Sequence, residues 1–513
     1  MIAPISIAGS SESEQIERLK RELEWAHLRI RALEERLRQQ RIAKYGPKSE
    51  KLSDAQLELL EGEPGVSTDE IEAESQCEPV AAASSGEAES KAGKVRRHPG
   101  RQQLPAHLPR IEQVVGCTAE ECVCQQCGKE KTIIGHEQSE QLDVEPARYF
   151  VVVTKREKRA CAVCAQGVIT ASVPERIVEK GLVSDRVVID TLVAKYSDHL
   201  PLYRQSVMLE REAGISISRA TIDGWVMRCG ELLMPVAAAI GRELLAGSYI
   251  QADETPVPVQ MHDGRGKNQQ GYLWQYGRPG GSVVFDFRMG RGREGPLKFL
   301  NKFEGILQTD GYAAYERAGG PKLVHAACWA HVRRKFFDAV KLNPDDRVPA
   351  RIVARIDELF AIDAEARNTG MDHGARHALR QARSRPVVDL LRNHIEAARS
   401  SALPSSALGK AFSYTLSLWR KLVRFLEYPE IELSNNLAEN SMRPVVVGRK
   451  NWIHVGSEEA GPKVAAILSV VESCRRLGIP LREYFASVLP GLANLSIQRI
   501  HSCTPAGWAS SRF

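Results

Sequence analysis

The chain has 513 residues, which is too long for one ordinary hydrophobic core and predicts several modules. A hydrophobic content of 43% with 26% charged residues is typical of a soluble globular protein, and no apolar run approaches the twenty or so residues of a membrane helix. The net charge of +6 permits a nucleic-acid partner without arguing strongly for one, and no membrane partner is expected.

A helical repeat lies near the N-terminus. The residues before it lack a charged region followed by a long apolar core, so we see no signal peptide and expect a cytoplasmic protein. Apolar side chains then recur in alternating steps of three and four, which is the seam of a coiled coil. They are Ile16, Leu19, Leu23, Ala26, Ile30, Leu33 and Leu37. A single helix packed on its own protein would show the same repeat, but the strict seam favours a coiled coil over 13–45 that forms a homo-oligomer.

The next segment, 46–110, is predicted to be a flexible linker. Its part 61–93 is rich in Glu, Ser, Ala and Gly and lacks aromatic side chains, which is typical of disorder. The basic stretch 94–101 follows. Its side chains either contact phosphates or form the solvated end of the linker, and the sequence favours neither.

Two Cys-x-x-Cys pairs predict a structural zinc site in the segment 111–175. In a reducing compartment, eleven cysteines serve metal binding more naturally than disulfides. The four predicted ligands are Cys124, Cys127, Cys161 and Cys164. Two such pairs suit a zinc ribbon, because each turn delivers two thiolates to one ion and leaves no open position for chemistry. Cys117 and Cys122 are competing thiols.

The segment 184–235 is predicted to be helical. Two helices, 202–212 and 219–229, flank a glycine turn, and Ser218 is placed to cap the second one. Helix, short turn and helix is the outline of a helix-turn-helix, although many helical hairpins with this outline bind nothing. The side chains that could face DNA are Arg219, Thr221 and Arg228.

From residue 246 the pattern changes to strands. The β-rich runs are 249–253, 272–276, 283–287 and 305–309, with a helical stretch at 295–302 before the last of them. Three strands, a helix and another strand suit a ribonuclease-H-like sheet, which gives an α/β fold class. The core would then occupy 246–340 and 431–495, with a helical block at 341–430 between its two parts and a tail at 496–513.

Two of these strands end on an aspartate. Asp253 and Asp310 each follow a β-rich run and precede loop-forming residues, so they lie at the rim of the sheet, where ligands collect in α/β folds. Adjacent strands would bring the two carboxylates together, and a divalent cation relieves their repulsion. Magnesium prefers a few carboxylates plus water and phosphate oxygens, and a pair of such ions supports phosphodiester cleavage.

Glu439 is the predicted third ligand. The asparagines Asn435 and Asn436 can cap a short helix that Pro444 ends, and Arg443 lies one turn after Glu439 on the same face. We expect Arg443 to support the site.

Three other acidic residues compete with the predicted triad. Strand alternation places Glu254 on the opposite face from Asp253, and Asp286 lies among phenylalanines in a middle strand. Glu432 precedes the capping asparagines and so lies outside the helix. We therefore rank these three residues below Asp253, Asp310 and Glu439.

The sequence resembles the insertion sequence 66 family of bacterial transposases over nearly its whole length. The resemblance rests on ordered matches at 45–52, 104–110, 139–143 between the cysteine pairs, 252–256, 308–312, 328–336, 435–440 and 448–452. It implies a DDE triad of Asp253, Asp310 and Glu439 on a ribonuclease-H-like core, holding two Mg²⁺ or Mn²⁺ ions. It also implies a helical insertion domain, terminal inverted repeats as the bound DNA and possible accessory proteins of the same element.

Further candidates surround the triad. Cys328 and His331 are similar to the Cys-x-x-His signature of several DDE transposase groups, and they either bind metal or are a buried thiol and a core histidine. Cations that could contact DNA phosphates are Arg333, Arg334, Lys335, Arg449 and Lys450. Trp452 could stack on an unpaired base or belong to the core.

The predicted activity is therefore metal-dependent cleavage of element ends and their transfer to target DNA, with double-stranded DNA as the partner. Two rivals stay open. One is a non-catalytic DNA-binding regulator derived from a transposase, and the other is a nuclease that cuts without joining.

Overall fold

The computed structural model describes residues 12–45, 148–159, 169–172, 174–261 and 268–511. The chain divides into two compact units, 1–83 with 155–513 and 84–154, and only 148–154 of the second are described. The predicted linker and the four predicted zinc ligands lie outside the described residues. Among those that are described, no helix is long and apolar enough to cross a membrane.

The N-terminal helix, α1, spans Glu12–Tyr45. Its predicted seam is solvent-exposed in the single chain, and Leu19 and Leu23 are each 58% exposed. The helix agrees with the heptad pattern. Its pairing with a second copy stays a prediction.

A short hairpin and three helices precede the main sheet. They are β1 (Lys158–Arg159), β2 (Ile169–Thr170), α2 (Asp185–Tyr196), α3 (Leu202–Ala213) and α4 (Arg219–Leu245). The turn between α3 and α4 forms as the sequence predicts. Gly214 adopts a left-handed φ of 68° at the end of α3, and the Ser218 hydroxyl accepts the Thr221 N–H at 3.1 Å.

Helix α4 is longer than the sequence pattern suggests, because it packs along the body of the protein. A Cβ at Gly230 would meet the Lys463 Cβ at 2.8 Å, so α4 and the later helix α12 approach closely at this glycine. The predicted boundary at residue 235 thus falls inside one continuous helix, and the division into domains there stays a prediction.

The main sheet has five strands in the order β5-β4-β3-β6-β7. The strands are β3 (Tyr249–Val259), β4 (Gln269–Gly277), β5 (Val283–Arg288), β6 (Ile306–Thr309) and β7 (Val324–Ala327), with α5 (Glu294–Leu300) between β5 and β6. Strands β3, β4 and β5 are antiparallel, whereas β6 and β7 continue from β3 in parallel. The mixed α/β class is confirmed.

The described residues after β7 are mostly helical. They are α6 (Trp329–Leu342), α7 (Arg347–Asn368), α8 (His373–Leu379), α9 (Arg385–Arg399), α10 (Ala407–Leu422), α11 (Asn436–Trp452), α12 (Ala460–Arg476), α13 (Leu481–Val488) and α14 (Pro505–Ser510). Helices α6 to α10 share one hydrophobic core with the β7 edge of the sheet, and we call 341–430 the helical block. A second core joins β3, β4 and β5 to α4, α12 and α13.

Candidate active site

The sheet register places Asp253 and Asp310 at equivalent positions on neighbouring strands. Gln251 pairs with Gln308 across the parallel strands β3 and β6, and each aspartate follows two residues later. Adjacent strands lie about 4.8 Å apart, and residues two apart share a face. The two aspartates therefore lie side by side. Asp310 follows the last residue of β6, as predicted, but the prediction that Asp253 ends its strand is wrong, because β3 continues to Val259 by pairing with β4.

Backbone groups orient both aspartate side chains. The Asp253 Oδ1 accepts the Glu254 N–H at 2.8 Å, and the Asp310 Oδ1 accepts the Tyr312 N–H at the same distance. The carbonyl of Asp310 also accepts the Tyr414 hydroxyl from α10. One oxygen of each carboxylate is thus engaged by the main chain, which fixes the loop that carries Asp310.

Helix α11 carries Glu439 in its first turn and is held at its far end by β3. Val455, just beyond the helix, exchanges backbone hydrogen bonds with β3, at 2.9 Å to the Pro258 carbonyl and 2.8 Å from the Gln260 N–H. The Arg449 guanidinium also donates to the Pro256 carbonyl. The expectation that Pro444 ends this helix is wrong, because α11 continues to Trp452 with the proline inside it. Asn435 occupies the N-cap position without a side-chain capping bond.

The charges of the three carboxylates influence one another. Burial, followed by the charges of Glu439, Glu254 and Asp310, raises the pKa of Asp253 to about 8. The Glu439 carboxylate itself lies 3.4 Å from the His331 Nε2 and 3.7 Å from an Arg334 nitrogen. Asp253 thus lies among other carboxylates, with cations on the Glu439 side.

This donor set fits a divalent cation. Carboxylate oxygens are hard ligands, and their mutual repulsion is the energetic term that a bound cation removes. The Glu439 Oε1 is buried and makes no hydrogen bond, and the His331 imidazole lies 3.4 Å from it. Within the described residues, no group of three or more His, Cys, Asp or Glu side chains is already arranged as a metal site.

Family models match three parts of the chain. Residues 180–463, more than half of the sequence, match the model described as transposase IS66 family. The chain belongs to the IS66 transposase family. Residues 32–112 match a model described as transposase C of IS166 homeodomain, and residues 121–165 match the zinc-finger binding domain of transposase IS66. The zinc-finger match, 121–165, contains all four predicted zinc ligands.

Relatives of this IS66-family chain include three Sinorhizobium fredii proteins, each described as uncharacterized. Proteins y4qI and y4jD are 34% and 31% identical to it, over 77% and 80% of this chain and 74% and 82% of their own lengths. Protein y4hP is 29% identical over 93% of this chain and 89% of its own. The similarity therefore extends well beyond a single module of the transposase.

The three competing carboxylates are each engaged by cations in this IS66-family structure. Glu254, whose side chain is 2% exposed, accepts Arg291 at 2.8 Å and the Tyr315 hydroxyl at 3.0 Å. Asp286 accepts Arg288 at 2.8 Å. The arginines Arg367 and Arg376 of the helical block bind Glu432. These ion pairs give the three acids structural partners, which agrees with their lower rank in the sequence argument.

The Cys-x-x-His pair lies at the start of α6, next to Glu439. Cys328 is fully buried, and its sulfur accepts the Asn435 N–H at 3.4 Å. Burial opposes the charged form of His331, but Cys328 and then Glu439 outweigh it and raise the pKa of His331 to about 9. A cationic His331 beside Glu439 fits the supporting role better than a role as metal ligand.

The predicted DNA-contacting cations differ in accessibility. Arg333 is 5% exposed and binds Asp357 through two nitrogens, at 2.6 and 3.2 Å, which gives it a structural role instead of the predicted phosphate contact. Arg334 and Lys335 are exposed, as is Lys450. Arg449 is engaged by β3, as described above.

The structure also describes the remaining predicted residues, which lie on α4 and α11. Arg219 and Thr221 are exposed at the start of α4, and Arg228 pairs with Glu231 at 3.2 Å. Trp452 packs against the second core, which agrees with the alternative that it is a core residue. Arg443 is half-buried on α11.

Sequence reasoning missed two buried glutamines beneath the aspartates. The Gln251 Nε2 donates to the Gln308 Oε1 at 3.0 Å, and both side chains are at most 2% exposed. The available signal was a repeat of Gln-x-Asp at 251–253 and 308–310, on two neighbouring strands. Tyr414, which binds the Asp310 carbonyl from the helical block, had no comparable signal.

Proposed function

We propose that this IS66-family chain is a DDE-type DNA transposase that binds the terminal inverted repeats of its element, cleaves at the element ends and joins them to target DNA. The observation that carries the proposal is the equivalent register of Asp253 and Asp310 on neighbouring parallel strands, with Glu439 close enough to raise the pKa of Asp253.

A ribonuclease-H-like core is part of this proposal. Three antiparallel strands followed by two parallel ones, with both aspartates on the central pair β3 and β6, support it. The helical block, 341–430, would be an insertion between the second and third carboxylates.

Asp253, Asp310 and Glu439 would hold two Mg²⁺ or Mn²⁺ ions. Bound there, the ions would activate the attacking oxygen and stabilise the leaving oxygen of a phosphodiester. The protein orients one oxygen of each aspartate through a backbone N–H and leaves the other for a ligand. Arg334, beside Glu439, and Lys335, over the Tyr414 ring, are both exposed and would bind the phosphates that flank the cleaved bond.

Two in-line displacements would follow one another at this site. In the first, a water oxygen attacks the phosphorus at the element end and the bond to the 3′ oxygen breaks. Water loses one proton to solvent, and the leaving 3′ oxygen takes up a proton to become a hydroxyl. In the second, the freed 3′ hydroxyl attacks a target phosphodiester and displaces its 3′ oxygen, so the phosphodiester count is conserved.

Other modules would bind and pair the ends. A zinc ribbon held by Cys124, Cys127, Cys161 and Cys164 is supported by the zinc-finger family match, and α4 would add contacts through Arg219 and Arg228. The exposed apolar seam of α1 supports pairing of two copies, which two element ends require. Accessory proteins of the same element are further possible partners.

A strand-transfer assay on labelled end DNA with Mg²⁺ tests the proposal. We expect cleavage and joining by the native chain, neither by Asp253→Ala nor by Asp310→Ala, and retained DNA binding by both variants. The control is Asp286→Asn, which changes a strand carboxylate that is bound to Arg288. Binding without cleavage by the native chain would favour a regulator, and cleavage without joining would favour a nuclease.

A further inference from the structure

The four residues 432–435 link the helical block to Glu439, and we call them the strap. The catalytic sheet and the start of α6 bind every strap residue through its backbone. The bonds are Glu432 N to the Tyr249 hydroxyl (3.2 Å), Glu432 O to Gln308 Nε2 (2.7 Å), Leu433 O to Trp329 N (2.8 Å), Ser434 O to Gln251 Nε2 (3.0 Å) and Asn435 N to Cys328 Sγ (3.4 Å). A loop bound at each residue has little freedom to move.

Two of these bonds come from the glutamines beneath the aspartates. Gln251 and Gln308 are neighbours on β3 and β6, bind each other, and each sends its amide nitrogen to a strap carbonyl. The Gln251–Gln308 pair is the last register pair of β3 and β6, and each glutamine lies two residues before its aspartate. The strap is therefore held two residues below the carboxylates.

The helical block holds the strap from its other side. The Glu432 carboxylate accepts Arg376 at 3.0 Å and also binds Arg367, and Arg376 in turn binds Asp363 at 2.6 Å. The side chain of Glu432 thus points into the block while its backbone is bound by the sheet. The sheet and the helical block therefore hold the residues that precede α11 in place, and Glu439 lies in the first turn of this helix.

We propose that Gln251 and Gln308 are positioning residues that set Glu439 against Asp253 and Asp310 by holding the strap. This inference rests on the proposed function, since it concerns the same metal site. The glutamines touch neither DNA nor metal in this scheme. They act through the strap, so their loss lowers the affinity for the ion and leaves the affinity for DNA unchanged.

The first test is the affinity of the DNA-free protein for Mn²⁺, measured by titration calorimetry or by the electron paramagnetic resonance of unbound Mn²⁺. Gln308→Met keeps the volume and removes the donor to the Glu432 carbonyl. We expect its dissociation constant for Mn²⁺ to rise about 10- to 100-fold, the usual effect of removing a residue that orients metal ligands. If Gln308→Met does not fold, Gln251→Met provides the same test. It removes the donor to the Ser434 carbonyl and keeps the Gln308 bond to the strap.

The matched control is Gln205→Met. Gln205 is a buried glutamine on α3 whose amide nitrogen likewise donates to a backbone carbonyl, that of Leu200, at 2.9 Å. Its replacement loses the same kind of bond far along the chain from the strap. We expect a comparable loss of stability in a thermal melt with no change in Mn²⁺ affinity. A Mn²⁺ affinity that falls equally in Gln205→Met and Gln308→Met would overturn the proposal.

A double-mutant cycle separates positioning from a general structural effect. If Gln308 acts through Glu439, Gln308→Met should lower the Mn²⁺ affinity of the native protein but cause no further loss in a Glu439→Gln background. Equal losses in both backgrounds would overturn the positioning role while leaving the triad intact. If Asp253→Ala binds Mn²⁺ with the same affinity as the native protein, both this inference and the proposed metal site would be overturned.

Discussion

Two groups of carboxylates in the same chain have opposite surroundings. In the helical block, Asp363 is 2% exposed and lies between Arg376 and Arg380, which outweigh the effect of burial and lower the pKa of Asp363. On the middle strand β3, Asp253 lies near other carboxylates, and its pKa is raised to about 8. Both are acidic side chains on packed elements, yet Asp363 is paired with arginines whereas Asp253 is placed among like charges.

The difference shows how to separate structural from functional acids in this fold. A buried carboxylate with arginine partners is satisfied, and its removal breaks a local network. A carboxylate that is placed among like charges is held there at an energetic cost, which points to a ligand of opposite charge. The predictions below test this contrast, in order of decreasing expected effect.

The largest effect should come from Asp253→Asn. Strand cleavage should fall by on the order of a thousandfold or more, at the upper range for removing one group that stabilises transition-state charge. The melting temperature of the metal-free protein at pH 8 should not fall, because the variant removes a repelled carboxylate. A cleavage assay and a thermal melt measure the two. A variant that loses both activity and stability would mean that Asp253 is a structural acid like Asp363.

The reverse outcome is expected for Asp363→Ala. Breaking one partner of a buried ion pair leaves Arg380, which is fully buried, without its carboxylate, so the free energy of unfolding should fall by about 3–5 kcal/mol. Urea denaturation measures this change. The control Glu396→Gln disrupts an exposed helical pair with Arg392 and should cost at most about 0.5 kcal/mol. Similar costs for the two variants would remove the contrast.

The pH dependence of metal binding should be next in size. Since the pKa of Asp253 is about 8, this carboxyl is protonated at neutral pH, and an incoming ion must displace the proton. Mn²⁺ affinity should therefore rise about tenfold per pH unit between pH 6 and pH 8 and then level off. Titration calorimetry over this range measures it.

The same pKa fixes the sign for the metal-free protein. A carboxyl whose folded pKa lies above its unfolded pKa contributes stability that is fully present below the unfolded pKa. That contribution is lost progressively as pH rises from the unfolded pKa through the folded value of about 8. Between these two pKa values, the native protein should therefore lose stability relative to Asp253→Asn. A Mn²⁺ affinity that does not change between pH 6 and pH 8 would contradict the raised pKa.

The smallest effects should distinguish two adjacent arginines. Arg334→Ala should weaken DNA binding, reduce the salt dependence by about one phosphate contact and leave stability unchanged. Arg333→Ala should lower stability, because it exposes Asp357 as an unpaired carboxylate, and should leave the salt dependence as it was. Filter binding at several salt concentrations with thermal melts tests the pair. Identical salt slopes for Arg334→Ala and the native chain would remove Arg334 from the proposed DNA surface.

Much of the sheet could be predicted from the sequence, because β-rich runs and glycine turns are local signals. Four of the five strands and the capped turn at Ser218 are confirmed, but β3 extends to Val259, well beyond its predicted end at 253, because it continues to pair with β4. Strand β7 (Val324–Ala327) was missed, since its four residues have no alternating pattern and it forms only by pairing with β6. The family assignment is also confirmed, because its ordered motifs span the chain.

The strap and the length of α11 could not be predicted, because both depend on contacts between distant parts of the chain. Pro444 is a helix-breaking residue by local rules, yet α11 passes through it and is held by β3 beyond its end. The glutamine pair was visible as a repeated motif, but its bonds to residues 432 and 434 join positions far apart in sequence. Local propensity contains no information on such pairings.

The position of the helical block also has a consequence during synthesis. Asp253 and Asp310 leave the ribosome long before Glu439, and the strap can bind the sheet only after the whole block has been made. A nascent or prematurely terminated polypeptide would thus contain the N-terminal modules and two acids but lack the third.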